Sequence, residues 1–267
     1  MAQRSDTDLL REIRSFLQYH ESLGITEYPL RQALQSFLAE QKKPTPPPVP
    51  GGTRKAEQGK TAATGKHQFD PGLTGKVTLQ DVENEIGDCH RCSLHKTRSS
   101  IVFGQGPVDA KLMIVTDAPA FDDDRLQAPV QGAPGELLDK MLAAIGLARE
   151  DVYITSLVKC YPGKNKAPAP DEITTCLPFL FRQIEIVCPR VVCTMGALAS
   201  QTLLRSSRSL FQLRGRFANF NDLCSSRLEE KIVLMPSLPP SLLLENTELK
   251  KASWHDLQLI RKKLPAQ

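Results

Sequence analysis

Four of the seven cysteines stand in an arrangement that could bind a metal. Cys89 and Cys92 flank a Cys-His-Arg-Cys turn, while Cys160 and Cys176 lie sixteen positions apart further along. Four thiolates suit tetrahedral zinc or a [4Fe–4S] cluster. Spacing alone leaves both open. Zinc ribbons favour two close pairs, so the wide second pair leans towards iron–sulfur. Cys160 and Cys176 could instead be plain core residues, a reading that fits Cys188, Cys193 and Cys224 well. An odd cysteine count also argues against a fully paired disulfide framework.

The elements that must position this quartet alternate between strand and helix. Thr78 is a good N-cap for a helix through Ile86, which delivers Cys89 and Cys92. Apolar runs at 111–115, 152–156, 190–194 and 232–235 read as strands. Helical spacing is expected over 135–145, 170–187 and 197–204, and over 247–264 with Trp254, Leu257 and Ile260 facing inward. Nearly continuous apolar strands separated by helices imply a parallel sheet covered on both faces. The fold class expected is α/β. In such sheets a site lies beyond the C-terminal strand ends, here near 116–119, 156–160, 195–196 and 236–240.

Three regions are expected. Residues 1–41 read as a helical hairpin: Leu9, Leu10, Ile13, Phe16 and Leu17 recur at helical spacing, and Pro29 opens a second short helix. Its apolar stripe needs cover, from the protein itself or from a protein partner. Residues 42–77 form a Pro/Lys/Gly-rich linker, and residues 78–267 the main domain. The segment 41–77 holds seven basic and two acidic residues, so it carries +5 of the chain's +4 and leaves −1 elsewhere. A basic tether could hold nucleic acid loosely, although a solvated linker is the simpler reading. No apolar run is long enough to span a bilayer, and no signal segment follows Met1. The expectation is a cytoplasmic protein without membrane contact.

The motifs CHRCSLHKTRSSIVFGQG (89–106), 128–184, MGALA (195–199), LRGRF (213–217) and 236–257 resemble, in order and spacing, the iron–sulfur (family 4) uracil-DNA glycosylases of the uracil-DNA glycosylase superfamily. The resemblance covers roughly residues 80–260. It implies a [4Fe–4S] cluster on Cys89, Cys92, Cys160 and Cys176. It also implies a three-layer α/β/α sandwich with a central four-stranded parallel sheet. Such enzymes flip uracil out of DNA and hydrolyse its N-glycosidic bond.

The family's active-site motifs depart here, one position at a time. Its Gly-Glu-Ala-Pro-Gly becomes Thr116-Asp117-Ala118-Pro119-Ala120. Asp117 keeps a carboxylate that could position water, with Ala118 and Pro119 beside it. The aromatic that stacks on uracil becomes Val130. The asparagine that reads the base becomes Ser156. The histidine that stabilises the leaving base becomes Pro239, which has no N–H to donate. Ser241 and Leu242 stand where the family grips phosphate and wedges the duplex, though Leu242–Leu244 could equally be core. The expected function is therefore a cluster-bearing protein related to DNA repair, partnered with DNA, with uracil excision weak or lost. A glycosylase redirected to another deaminated base and a non-catalytic adaptor are the alternatives.

Overall fold

The computed structural model describes residues 77–220 and 232–265. The hairpin expected over 1–41 and all but the last residue of the linker expected over 42–77 lie outside the described residues. Helix α1 (Leu79–Ile86) opens the domain. It is capped reciprocally: Thr78 accepts from the Asp81 amide, and Asp81 accepts from the Thr78 amide. Strand β1 (Leu112–Thr116) is followed by α2 (Phe121–Leu126) and α3 (Gly132–Ala143). After β2 (Val152–Ser156) comes the long α4 (Pro170–Val187), then β3 (Val191–Met195), α5 (Ala197–Leu204) and the single turn α6 (Leu210–Leu213). The chain closes with β4 (Ala218–Asn219), β5 (Val233–Ser237), α7 (Pro240–Glu245) and α8 (Lys250–Lys263).

The sheet has the order β2-β1-β3-β5-β4. The first four strands are parallel, as expected, and β4 adds a two-residue antiparallel edge. The fifth strand is a departure from the four-stranded expectation. Two residues carry no periodicity, so only pairing with Val233 and Leu234 identifies them.

Alternation along the strands sends side chains to two cores. Leu112, Ile114, Ile154, Cys193 and Met235 face Leu138 and Leu142 of α3, Leu243 of α7, and Leu257 and Ile260 of α8. Met113, Val115, Tyr153, Val192 and Leu234 face Leu180 and Ile184 of α4 and Ala199 and Leu203 of α5. The result is the α/β/α sandwich expected from sequence. Trp254 is a correction: it is 39% exposed. The buried stripe of α8 runs through Ser253, Leu257 and Ile260, and Trp254 lies one residue, about 100°, off it.

The register matters for function. Thr116 pairs with Ser156 and with Met195, and Met195 pairs with Ser237. All four parallel strands therefore end in one row, and the loops that follow them share one edge.

Candidate functional site

All four cysteines of the quartet line one small, largely enclosed cavity, together with Ile86, Leu94, Ile101 and Phe179. Cys89 and Cys92 follow α1, and Cys160 lies four residues beyond β2. Cys176 sits in the second turn of α4. Among the described residues, no three His, Cys, Asp or Glu side chains stand close enough to hold a single metal ion. The thiols surround a space; they do not converge on a point.

Cations and amides face the sulfurs. Arg91 donates to Cys89 Sγ at 3.3 Å and to the Ile86 and Glu85 carbonyls that α1 leaves free. Its guanidinium also lies 5.1 Å from the centre of the Phe179 ring. Arg98 donates to Cys160 Sγ at 3.5 Å, to the Cys89 carbonyl at 2.8 Å and to Asp88. It thereby ties the Cys89 turn to the segment after β2. Lys159 is buried, and its Nζ donates to Thr155 Oγ1 and the Ser156 carbonyl. Burial drives its pKa down to about 7, and the neighbouring Cys176 and Cys160 thiols oppose that. Burial also raises the Cys160 thiol to about 11 and raises Cys92 and Cys176. Cysteine ligands of a multi-iron centre give up their protons on binding it; of the four here Cys160 is buried and the other three are partly exposed. The donor set, the enclosed cavity and the three cations fit a cluster held by Cys89, Cys92, Cys160 and Cys176.

At the strand ends, the residues that resemblance placed in a base pocket divide: Ala118 and Pro119 line one cleft with Asp117, and Val130 does not. Asp117 reaches across to the N-terminus of α5. It accepts from the Ala199 amide at 2.7 Å, and the nearby amides of Leu198 and Ala197 add to the field that favours its charged form. Burial raises its pKa, and those three amides oppose the rise. Gly196 makes this approach possible: a Cβ there would meet Asp117 Oδ1 at 2.2 Å. Ser156 is 1% exposed, and its hydroxyl donates to the Val158 carbonyl at 2.7 Å.

Val130 is buried in the core under α3 and has φ +55°, unusual for a β-branched residue. Arg149 holds its carbonyl at 3.0 Å and also bonds that of Pro129. Asp123 accepts from the Gln131 amide on the other side. Pro239 is half-buried and serves as the N-cap of α7, with Pro240 at its first position. Ser241 is exposed, Leu242 packs against the core, and Leu243 is core.

One open cleft does lie at this edge. It has a volume of about 310 Å³ and is walled by 117–120, by Tyr161, Pro162 and Lys166, and by Leu198. Neither Ser156, Val130 nor Pro239 lines it. Sequence reasoning passed over Arg91, Arg98, Lys159, Tyr161 and Lys166. The first three were visible only as basic residues near cysteines.

Residues 103–258 match the model of the uracil DNA glycosylase superfamily, which is more than half of the chain. The chain belongs to the uracil-DNA glycosylase superfamily. Within that superfamily it is similar to type-4 enzymes. It is 44% identical over 124 residues to the type-4 uracil-DNA glycosylase of Archaeoglobus fulgidus, covering 46% of this chain and 62% of that protein. It is 34% identical over 193 residues to that of Sulfurisphaera tokodaii, covering 69% of this chain and 84% of the relative. To that of Thermotoga maritima it is 33% identical over 188 residues, 69% of this chain and 94% of the relative.

Proposed function

We propose that this superfamily member is a DNA-repair protein that binds DNA and carries a [4Fe–4S] cluster on Cys89, Cys92, Cys160 and Cys176, with uracil excision weak or lost. The observation that carries the second half is Ser156. Its hydroxyl is satisfied internally at 2.7 Å by the Val158 carbonyl and is closed to solvent. A group so placed cannot hydrogen-bond an extruded base. Val130 has no ring to stack on a base and is fixed in the core, and Pro239 has no proton to give a leaving uracil anion. Asp117 is engaged by the Ala199 amide at the start of α5. A missing positioned donor costs about 100- to 1,000-fold in rate, so two such losses together remove most of the catalysis.

The cluster's role in this reading is structural. When bound, it supplies four iron–thiolate links and thereby joins three separate parts of the chain: the turn after α1, the segment after β2, and α4. Arg91, Arg98 and Lys159 offset the negative charge that such a centre brings. No described helix is long and apolar enough to cross a membrane.

Two measurements test the proposal. Anaerobically purified protein should be brown and contain iron and acid-labile sulfide in equal amounts, about four of each per chain. Colourless protein with one equivalent of zinc would refute the cluster. Single-turnover assays on DNA bearing hypoxanthine or xanthine should show no base release. Release of either base would replace this reading with a redirected glycosylase.

A further inference from the structure

We propose that the cluster is labile at a single corner: a one-electron oxidant releases the iron held by Cys92 and leaves a three-iron centre on Cys89, Cys160 and Cys176. This deepens the cluster reading given above and rests on it.

The four sulfurs have unequal surroundings. Arg91 donates to Cys89 Sγ at 3.3 Å, and Arg98 donates to Cys160 Sγ at 3.5 Å. The charge of the buried Lys159 faces Cys176 and Cys160. None of these three cations donates to Cys92 Sγ; their other bonds go to backbone carbonyls, to Asp88 and to Thr155. The charge set against Cys92 is Glu172, which is 7% exposed. Its carboxylate accepts from the Ala169 amide at 2.8 Å, at the start of α4, and from the hydroxyl of Ser93, the residue after Cys92. Cys176 lies four positions further along α4, so the two share a helix face. The Glu172 charge opposes a thiolate at Cys92 more strongly than the Arg98 charge favours one.

This asymmetry has a chemical consequence. Cations and hydrogen bonds at a sulfur make it harder to draw an electron from the iron behind it, and a carboxylate makes it easier. A thiolate facing a carboxylate also relieves like-charge repulsion when it leaves the metal. Cys92 is partly exposed and stands between the exposed Arg91 and Ser93, so an oxidant in solution can approach it. Cys89 is comparably open, but Arg91 donates to its sulfur. One electron passes from the dicationic [4Fe–4S] core to the oxidant. A ferrous ion then leaves as its bonds to Cys92 Sγ and to three sulfides break. A [3Fe–4S] core with a single positive charge remains, and the freed thiolate takes a proton from solvent.

Three ligands are enough for the structural role. Cys89 ties the turn after α1, Cys160 the segment after β2, and Cys176 ties α4. Cys92 is a second tie to the same turn as Cys89. Releasing it leaves all three parts of the chain joined, so the oxidised protein keeps its fold while its cluster changes.

The test uses full-length, cluster-loaded protein whose free thiols have been blocked anaerobically with N-ethylmaleimide. One equivalent of ferricyanide, a one-electron oxidant, is added. Newly freed thiols are then labelled with iodoacetamide and located by peptide mass mapping. Wild type should release about one iron in four, show the electron paramagnetic resonance signal of a [3Fe–4S] centre and carry the new label on Cys92. The oxidised protein should melt well above the apoprotein. Glu172→Gln should slow the release of iron by about 10- to 100-fold. Cys92→Ala should be isolated with a three-iron centre. Label on Cys89, Cys160 or Cys176 in place of Cys92 overturns this inference alone. So does passage of wild type straight to apoprotein without a three-iron stage, or loss of iron from Glu172→Gln at the wild-type rate. Should Glu172→Gln fail to fold, the label on wild type decides. Protein that is purified anaerobically without iron overturns the cluster reading, and this inference with it.

Discussion

Asp117 is the position where a structural and a catalytic role can be separated. Replacing it with alanine removes the acceptor for the Ala199 amide and the charge that the Ala197 and Leu198 amides also face. Hydrogen bonds to a charged group contribute about 1.5–3 kcal/mol each, but the loss is smaller than three of these. Leu198 borders the cleft, so water can reach part of the exposed helix end. Losing an N-cap acceptor costs about 0.5–2 kcal/mol. The structure therefore points to about 2–3 kcal/mol for Asp117→Ala. In a domain of this size that corresponds to about 4–12 °C in melting temperature. Asp117→Asn keeps an acceptor oxygen and should lose about half as much.

The sign of the pH effect follows from burial. The native carboxyl has its pKa raised, so the native state binds a proton more tightly than the unfolded chain does. Its contribution is most favourable below the ordinary carboxylate pKa and is lost as pH rises through the raised value. Asp117→Asn should abolish that slope in a comparison of unfolding by urea at several pH values. If wild type instead gained stability relative to Asp117→Asn as pH rose across that window, the assignment of Asp117 as a buried cap would be wrong. So would it be if Asp117→Ala melted within a degree of wild type.

Three further outcomes follow from the packing. Gly135→Ala should cost about 1–3 kcal/mol by urea unfolding, because its Cβ would stand 2.4 Å from the Val130 carbonyl oxygen that Arg149 also holds. Arg214→Met should cost about 3 kcal/mol in the same assay. It strips two bonds, at 3.0 and 2.7 Å, from the fully buried Asp256 and leaves that carboxylate with Ser237. Cys160→Ala should abolish the brown colour and reduce bound iron to background by elemental analysis, with a lower melting temperature. Retention of a full complement of iron would show that Cys160 is not a ligand.

Sequence alone located the four parallel strands to within two residues, because each is a short apolar run between turn-forming segments. It could not show α2. Phe121–Leu126 reads FDDDRL, a polar stretch with an apolar residue at each end, and it becomes helical through Asp123 returning to the Ala120 amide. The quartet was legible as four cysteines of suitable spacing. Its surroundings were not, since Arg98 meets Cys160 across 62 positions of chain. Asp117 shows the same limit more sharply. The motif marks it as a pocket carboxylate, while its partners lie about 80 residues away at the start of α5 and are found only by folding. Ser156 and Val130 could be recognised as changed residues, but the inward turn of the hydroxyl and the positive φ are tertiary facts.

The most direct test of the account is single-turnover release of uracil from single-stranded DNA by protein whose iron and sulfide content has been measured. The type-4 enzyme of Thermotoga maritima, loaded and assayed in the same way, provides the reference. The account predicts release at or near the uncatalysed background from this protein, at least a thousandfold below the reference, with the cluster intact. Release within tenfold of the reference would contradict it, and would mean that Asp117 and the loops at the strand ends suffice without the groups that Ser156, Val130 and Pro239 replace.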